Sequence, residues 1–317
     1  FCLSRGLGDV YKRQINSLGG LEMQFSGQLD NSNGRIFSQL SQKLTAGNIA
    51  NEQGWMGSQG EWRATTGHFA NTLGSVQSEQ SAWLNAAALN NQQGLLQAAA
   101  ALTMRVTQGI DNRAGKISAQ TQLDARGDDN GASTGAINNA GGQWLAGEAL
   151  NLAAQMLDNT QNGLLYSQKQ LHLLLDDTLK NQQGKVQSGE SLTLAARSLQ
   201  NDAGSITSQQ QLTLNLTGEL SNQGGALRSN GVQQVSASHI NNQQGTISSL
   251  DDLGVTAAQL DNAAGTLISQ GTGIYRIDTL NNQQGKIHSG RGLTLNLSRI
   301  HISEPTRQAE ISYAVFC

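Results

Sequence analysis

A ten-residue phrase, Leu179-Lys180-Asn181-Gln182-Gln183-Gly184-Lys185-Val186-Gln187-Ser188, recurs along this chain at a nearly constant interval. Close copies stand at 199–208, 240–249, 260–269 and 280–289, carrying the pairs Asn201/Gly204, Asn242/Gly245, Asn262/Gly265 and Asn282/Gly285. With the glycine set as zero, thirteen anchors run from Gly34 to Gly285, spaced by 20 or 21 residues except for one gap of 27 between Gly115 and Gly142. A self-similar period near twenty is the mark of a solenoid, in which each repeat is one supersecondary unit and is stable only between neighbours.

Within each copy two zones alternate with period two. Position plus two is large and apolar from Ile36 to Ile287, and plus four is Ser or Ala in every copy. The second zone reads Leu192-Thr193-Leu194-Ala195-Ala196 or Leu212-Thr213-Leu214-Asn215-Leu216. Plus eight, ten and twelve therefore point one way and the residues between them the other, as in a half-buried strand. No apolar helical stripe persists, and regular glycines would cost a helix about 1 kcal/mol each. The Asn-x-x-Gly phrase reads as a structural turn. Glycine reaches positive φ without a steric penalty, asparagine tolerates turn geometry, and asparagines stacked at one period can bond to one another along the axis. The fold expected is all-β, a parallel β-helix of about thirteen coils with two or three short strands per turn. At the usual strand spacing this is a rod roughly 60 Å long.

The two ends do not share the frame. Residues 300–310, written in permitted codons, have a reverse complement that translates as residues 1–11. Both ends, 1–14 and 299–317, read as translated sequencing-library adaptor and are set aside from fold reasoning, leaving 15–298 as the repeat region. Both cysteines, Cys2 and Cys317, and the single proline, Pro305, fall in those ends, so no disulfide is expected. Trimming moves the formal charge from −3 to −5. The charge is thinly spread, with no basic stripe suited to nucleic acid. No run of eighteen apolar residues predicts a transmembrane segment. Residues 15–34 read as a shortened, degenerate repeat.

Departures from the frame are few. The long coil gains its extra residues at 126–135, and insertions in solenoids bulge as loops. That loop opens with Arg126-Gly127-Asp128, which resembles the integrin-binding tripeptide and is the candidate binding loop. Trp55 and Trp83 occupy outward positions, where an exposed indole can mark a contact surface. Parallel β-helices include polysaccharide lyases and hydrolases, which need clustered carboxylates. The acidic pairs Asp128-Asp129, Asp176-Asp177 and Asp251-Asp252 occupy different places in their coils and build no shared column. His68, His172, His239 and His288 lie on separate coils without metal-ligand spacing, His172 as an outward strand residue. Phosphate-binding glycine loops are absent and no cofactor is expected. The chain reads as a non-enzyme, with a carbohydrate-active β-helix enzyme as the alternative.

The repeated Leu-Asn-Asn-Gln-Gln-Gly-x-Ile-x-Ser, as at 280–289, followed by Leu-Thr-Leu-x-Leu, as at 293–297, resembles the haemagglutinin repeat of the filamentous haemagglutinin family. That family includes two-partner-secreted adhesins and contact-dependent growth inhibition exoproteins of Gram-negative bacteria. The resemblance implies a right-handed β-helix, secreted through an outer-membrane partner transporter that binds a region not in this fragment. It also implies display at the outer cell surface and a receptor on a host or neighbouring cell. Adhesin and toxin-delivery stalk are not separated by this stretch.

Overall fold

The alternation beside each anchor becomes a strand. The computed structural model describes residues 14–301 and contains β-strands and turns without a helix among them. Cys2, Pro305, Cys317 and the rest of 1–13 and 302–317 lie outside the described residues.

The chain winds as a parallel β-solenoid with three strand positions per turn. The first ladder stacks fourteen strands in chain order, from Gln14–Ser17 through Arg35–Ser38 to Lys286–Ser289. Register is kept by the repeat itself: Val186 pairs Ile206, which pairs Leu227, so plus two always meets plus two. The second position holds segments such as Leu192–Ala196 and Leu212–Leu216, and the third holds Ser198–Gln200 and Glu219–Ser221. In some turns the bend between them straightens and one strand spans both, as in Trp62–Ala70 and Thr272–Asn281.

The thirteen turns expected are fourteen. Gln14–Ser17 pairs in register with Arg35–Ser38, setting Ile15 beside Ile36. No Asn-x-x-Gly phrase precedes that strand in the sequence. At the other end, pairing continues through Arg299 and Ile300 to His301.

The interior is one continuous column of apolar side chains. Plus two is buried from Ile36 to Leu267, and Leu171, Leu192 and Leu212 line up at plus eight. Volume is balanced within turns. Trp62 at plus eight is accompanied by Ala64 at plus ten and packs against Phe69, with ring centroids 5.8 Å apart. Gly273 at plus eight makes room for the Tyr275 ring, which a Cβ at 273 would meet at 2.7 Å. The plus-four residue is small because it sits in a corner, where its hydroxyl serves the backbone: Ser229 Oγ donates to Gln210 O at 2.7 Å. Gln42 and Gln233 occupy plus eight, fully buried with neither side-chain amide atom hydrogen-bonded. Neither was foreseen as a core residue, although their offset from Gly34 and Gly225 marks them as inward.

Candidate functional site

Two features stand out from the scaffold: the Asn-Gly corner, repeated along the rod, and the single loop at 126–135.

From Asn31 to Asn262 the corner asparagine points inward and is buried, and Asn282 in the last corner is partly so. Asn181 Nδ2 donates to Asn201 Oδ1 at 2.7 Å, Asn201 to Asn222, Asn222 to Asn242, Asn242 to Asn262 and Asn262 to Asn282, each at 2.7 Å. The same file runs back through Asn159, Asn139, Asn112, Asn91, Asn71 and Asn51 to Asn31, with bonds of 2.6–2.8 Å. The Nδ2 group also faces its own corner, as Asn201 does at Gly204 O (3.3 Å). The turn is closed by the backbone, Gly204 N donating to Asn201 O at 2.9 Å. Buried polar groups in this file are thus satisfied along the axis, which is what burial requires of them.

The reason for the glycine differs from the one the sequence suggests. Positive φ falls on the residue before it: Gln183 (61°), Ala203 (53°), Gln244 (56°), Ala264 (53°) and Gln284 (55°). Gly184, Gly204, Gly245, Gly265 and Gly285 are required by close approach instead. A Cβ on Gly204 would be driven into the Asn181 carbonyl oxygen of the preceding turn and would stand 2.6 Å from Asn201 Oδ1. The corner Asn159-Thr160-Gln161-Asn162-Gly163 carries one extra residue, absorbed by two successive positive-φ positions, Gln161 and Asn162.

The loop 126–135 is fastened to the rod at both ends. Asp124, its side chain buried, receives Arg105 Nη1 at 2.7 Å and Arg126 Nε at 3.1 Å. Arg105 Nε also holds Asp129 at 2.6 Å, and Ser133 Oγ reaches Asp176 at 3.1 Å. Asp128 Oδ1 accepts the Ala132 and Asn130 N–H groups at 2.9 Å each, and these bonds, the Ala132 one foremost, hold its carboxyl below the usual range. Gly127 is buried, its N–H bonded to Ala132 O at 2.7 Å. In Arg126-Gly127-Asp128 both charged groups are therefore already engaged within the chain.

Trp55 and Trp83 are half-buried. The Arg35 guanidinium lies 4.3 Å from the Trp55 ring centroid, and Phe37 stacks at 5.9 Å. Arg63 lies 4.0 Å over Trp83. Each indole thus has a guanidinium of the preceding turn on its ring. The acidic pairs are separately employed: Asp177 is held below its ordinary pKa by hydrogen bonding from Arg197, and Asp252 Oδ1 accepts Thr272 N at 2.7 Å. Asp176 is tied to the long loop through Ser133. His172 is exposed on its strand. Among the described residues no three His, Cys, Asp or Glu side chains converge as a metal site would need, and no helix is long and apolar enough to cross a membrane.

Fold and corner together define a repeat protein of the parallel β-solenoid class. The family model described as the haemagglutinin repeat matches residues 228–274 and 275–304. Matched repeats and solenoid fit a repeat region of the filamentous haemagglutinin family. No curated protein and no solved structure matches the chain.

Proposed function

We propose that this chain is a length of adhesin-type structural stalk from a large secreted exoprotein, holding binding or toxin-bearing regions away from a Gram-negative cell surface. The observation that carries the reading is the asparagine file, unbroken from Asn31 to Asn282, with a core that has no seam. Such a scaffold resists bending because every turn is bonded to the next at each corner. Secretion through an outer-membrane partner transporter, engaged by a region outside this stretch, is part of the proposal. So is a receptor on a host or neighbouring cell. Contact through Arg126-Gly127-Asp128 would require Arg126 to leave Asp124. The test is reach: deleting whole turns from the complete reading frame should shorten the surface projection by about 4.8 Å per turn, seen by electron microscopy. A projection whose length ignores the number of turns would refute the stalk.

A further inference from the structure

Asn-Gly occurs four times, at Asn33-Gly34, Asn130-Gly131, Asn162-Gly163 and Asn230-Gly231. This dipeptide is the one most open to intramolecular attack of the backbone nitrogen on the preceding side-chain amide, because glycine carries no Cβ to obstruct the approach. The sequence alone therefore ranks the four as equals. The structure does not.

Three of them are locked. Gly34 N donates to Asn31 O at 2.8 Å and Gly163 N to Thr160 O at 2.9 Å, each following a left-handed asparagine (φ 55° and 63°) and wedged against the buried file. Gly231 N donates to Ser229 Oγ at 3.2 Å, a Cβ there would collide with the Gln210 carbonyl, and the Asn230 amide is itself given to Gln209 Oε1. Ring closure at these sites has to break the turn.

Asn130 differs in its surroundings. All four asparagines are exposed, but Asn130 lies in the inserted loop at 126–135, whereas the other three lie at corners between stacked strands. Gly131 has φ +94° and open space where a Cβ would stand. The Gly131 N–H and the Asn130 side-chain amide both face the Asp128 carboxylate, whose Oδ1 is held by Asn130 N and Ala132 N at 2.9 Å each. Nucleophile, electrophile and a proton acceptor are thus gathered within three residues.

We propose that Asn130 is a site of spontaneous deamidation in the folded protein, with Asp128 positioning the reacting groups. The Gly131 nitrogen gives up its proton and bonds to Asn130 Cγ. The Cγ–Nδ2 bond breaks and ammonia leaves with that proton, giving a five-membered succinimide. Water then opens either imide carbonyl, leaving aspartate or isoaspartate at position 130 with no change of oxidation state. The product places a third carboxylate beside Asp128 and Asp129. In its iso form it also lengthens the backbone of the strap between Arg105 and Asp176 by one methylene.

The test uses the full chain, incubated folded at mildly alkaline pH, with isoaspartate methylation and peptide mass mapping, and the same chain in denaturant as reference. In denaturant the four dipeptides should react at similar rates. Folded, Asn130 should outpace each of the others by roughly tenfold or more, since hydrogen-bonded turns react only through local opening. Asn130→Gln, a change confined to the exposed loop, should remove the dominant product and leave the remaining three unchanged. The proposal is overturned if Asn33, Asn162 or Asn230 keeps pace with Asn130 in the folded chain, or if folded and denatured samples give one pattern.

Discussion

Gly224 and Gly225 sit side by side in one corner and answer to different constraints. Gly224 carries the positive φ (61°) in open space, whereas a Cβ on Gly225 would collide with Asn201 O and stand 2.6 Å from Asn222 Oδ1. Gly224→Ala should therefore cost only about 1–2 kcal/mol, the price of a left-handed alanine. Gly225→Ala should cost several-fold more, and comparing the two denaturation midpoints checks the order. Gln233 lies between Leu212 and Leu253 in its ladder with its amide unbonded. Gln233→Leu should stabilise by about 1–3 kcal/mol, because it removes a buried, unpartnered amide and restores the neighbours' side chain. An unchanged or lower midpoint would count against that burial. Tyr275, whose hydroxyl faces those of Ser269 and Ser289, is pushed up to about 12 by burial. A raised folded-state pKa means that the stabilisation is complete below the ordinary tyrosine value of about 10 and is lost as pH climbs through 12, a loss of roughly 2–3 kcal/mol. Ultraviolet titration should show one tyrosinate forming late, together with unfolding.

At the scale of elements, much of the architecture was legible. Period-two alternation at Leu192–Ala196 and the Asn-x-x-Gly phrase announce strands and turns, because sheet geometry forces alternation and a turn must separate the strands of each coil. What escaped has physical reasons. Left-handed φ can be borne by Gln, Ala or Leu when the turn is held by its neighbours, so φ could not be assigned to the glycine from residue type. Gln14–Ser17 lacked the punctuation used to find turns. The charge clamp Arg105–Asp124–Arg126 joins residues of adjacent turns and becomes visible only once register is known. The loop it anchors should respond to acid. Asp128 sits below its ordinary pKa, so its contribution is present above the usual carboxylate range and disappears as pH falls through the depressed value. Hydrogen exchange at the Asn130 and Ala132 amides should accelerate there, while Gly184 N–H at the Asn181 corner, which is held by the Asn181 carbonyl and has no carboxylate among residues 181–184, should not change.

For the whole molecule, stability is a chain of neighbour terms, so protection should vary along the axis. Leu21, Met23, Ile287, Leu293, Leu295 and Leu297 are only partly buried in the outer turns, whereas Leu171, Leu192 and Leu212 are sealed. Amide exchange followed by mass spectrometry should be slowest through the central turns and fastest at both ends. Asn201→Ala, which removes the shortest bond of the Asn181 amide and the donor to Asn222 Oδ1, should lower protection on both sides of position 201 by roughly 2–3 kcal/mol. Uniform protection from end to end would contradict a stack of this kind.

The amide file also has a sense of direction. Each nitrogen hands its hydrogen toward the C-terminal side, so all these dipoles add, and each bond polarises the next. Open the spindle at any level and one cut surface offers oxygen, the other hydrogen. Two severed halves can rejoin head to tail but not head to head, which gives a rod built from near-identical turns a chemical north and south.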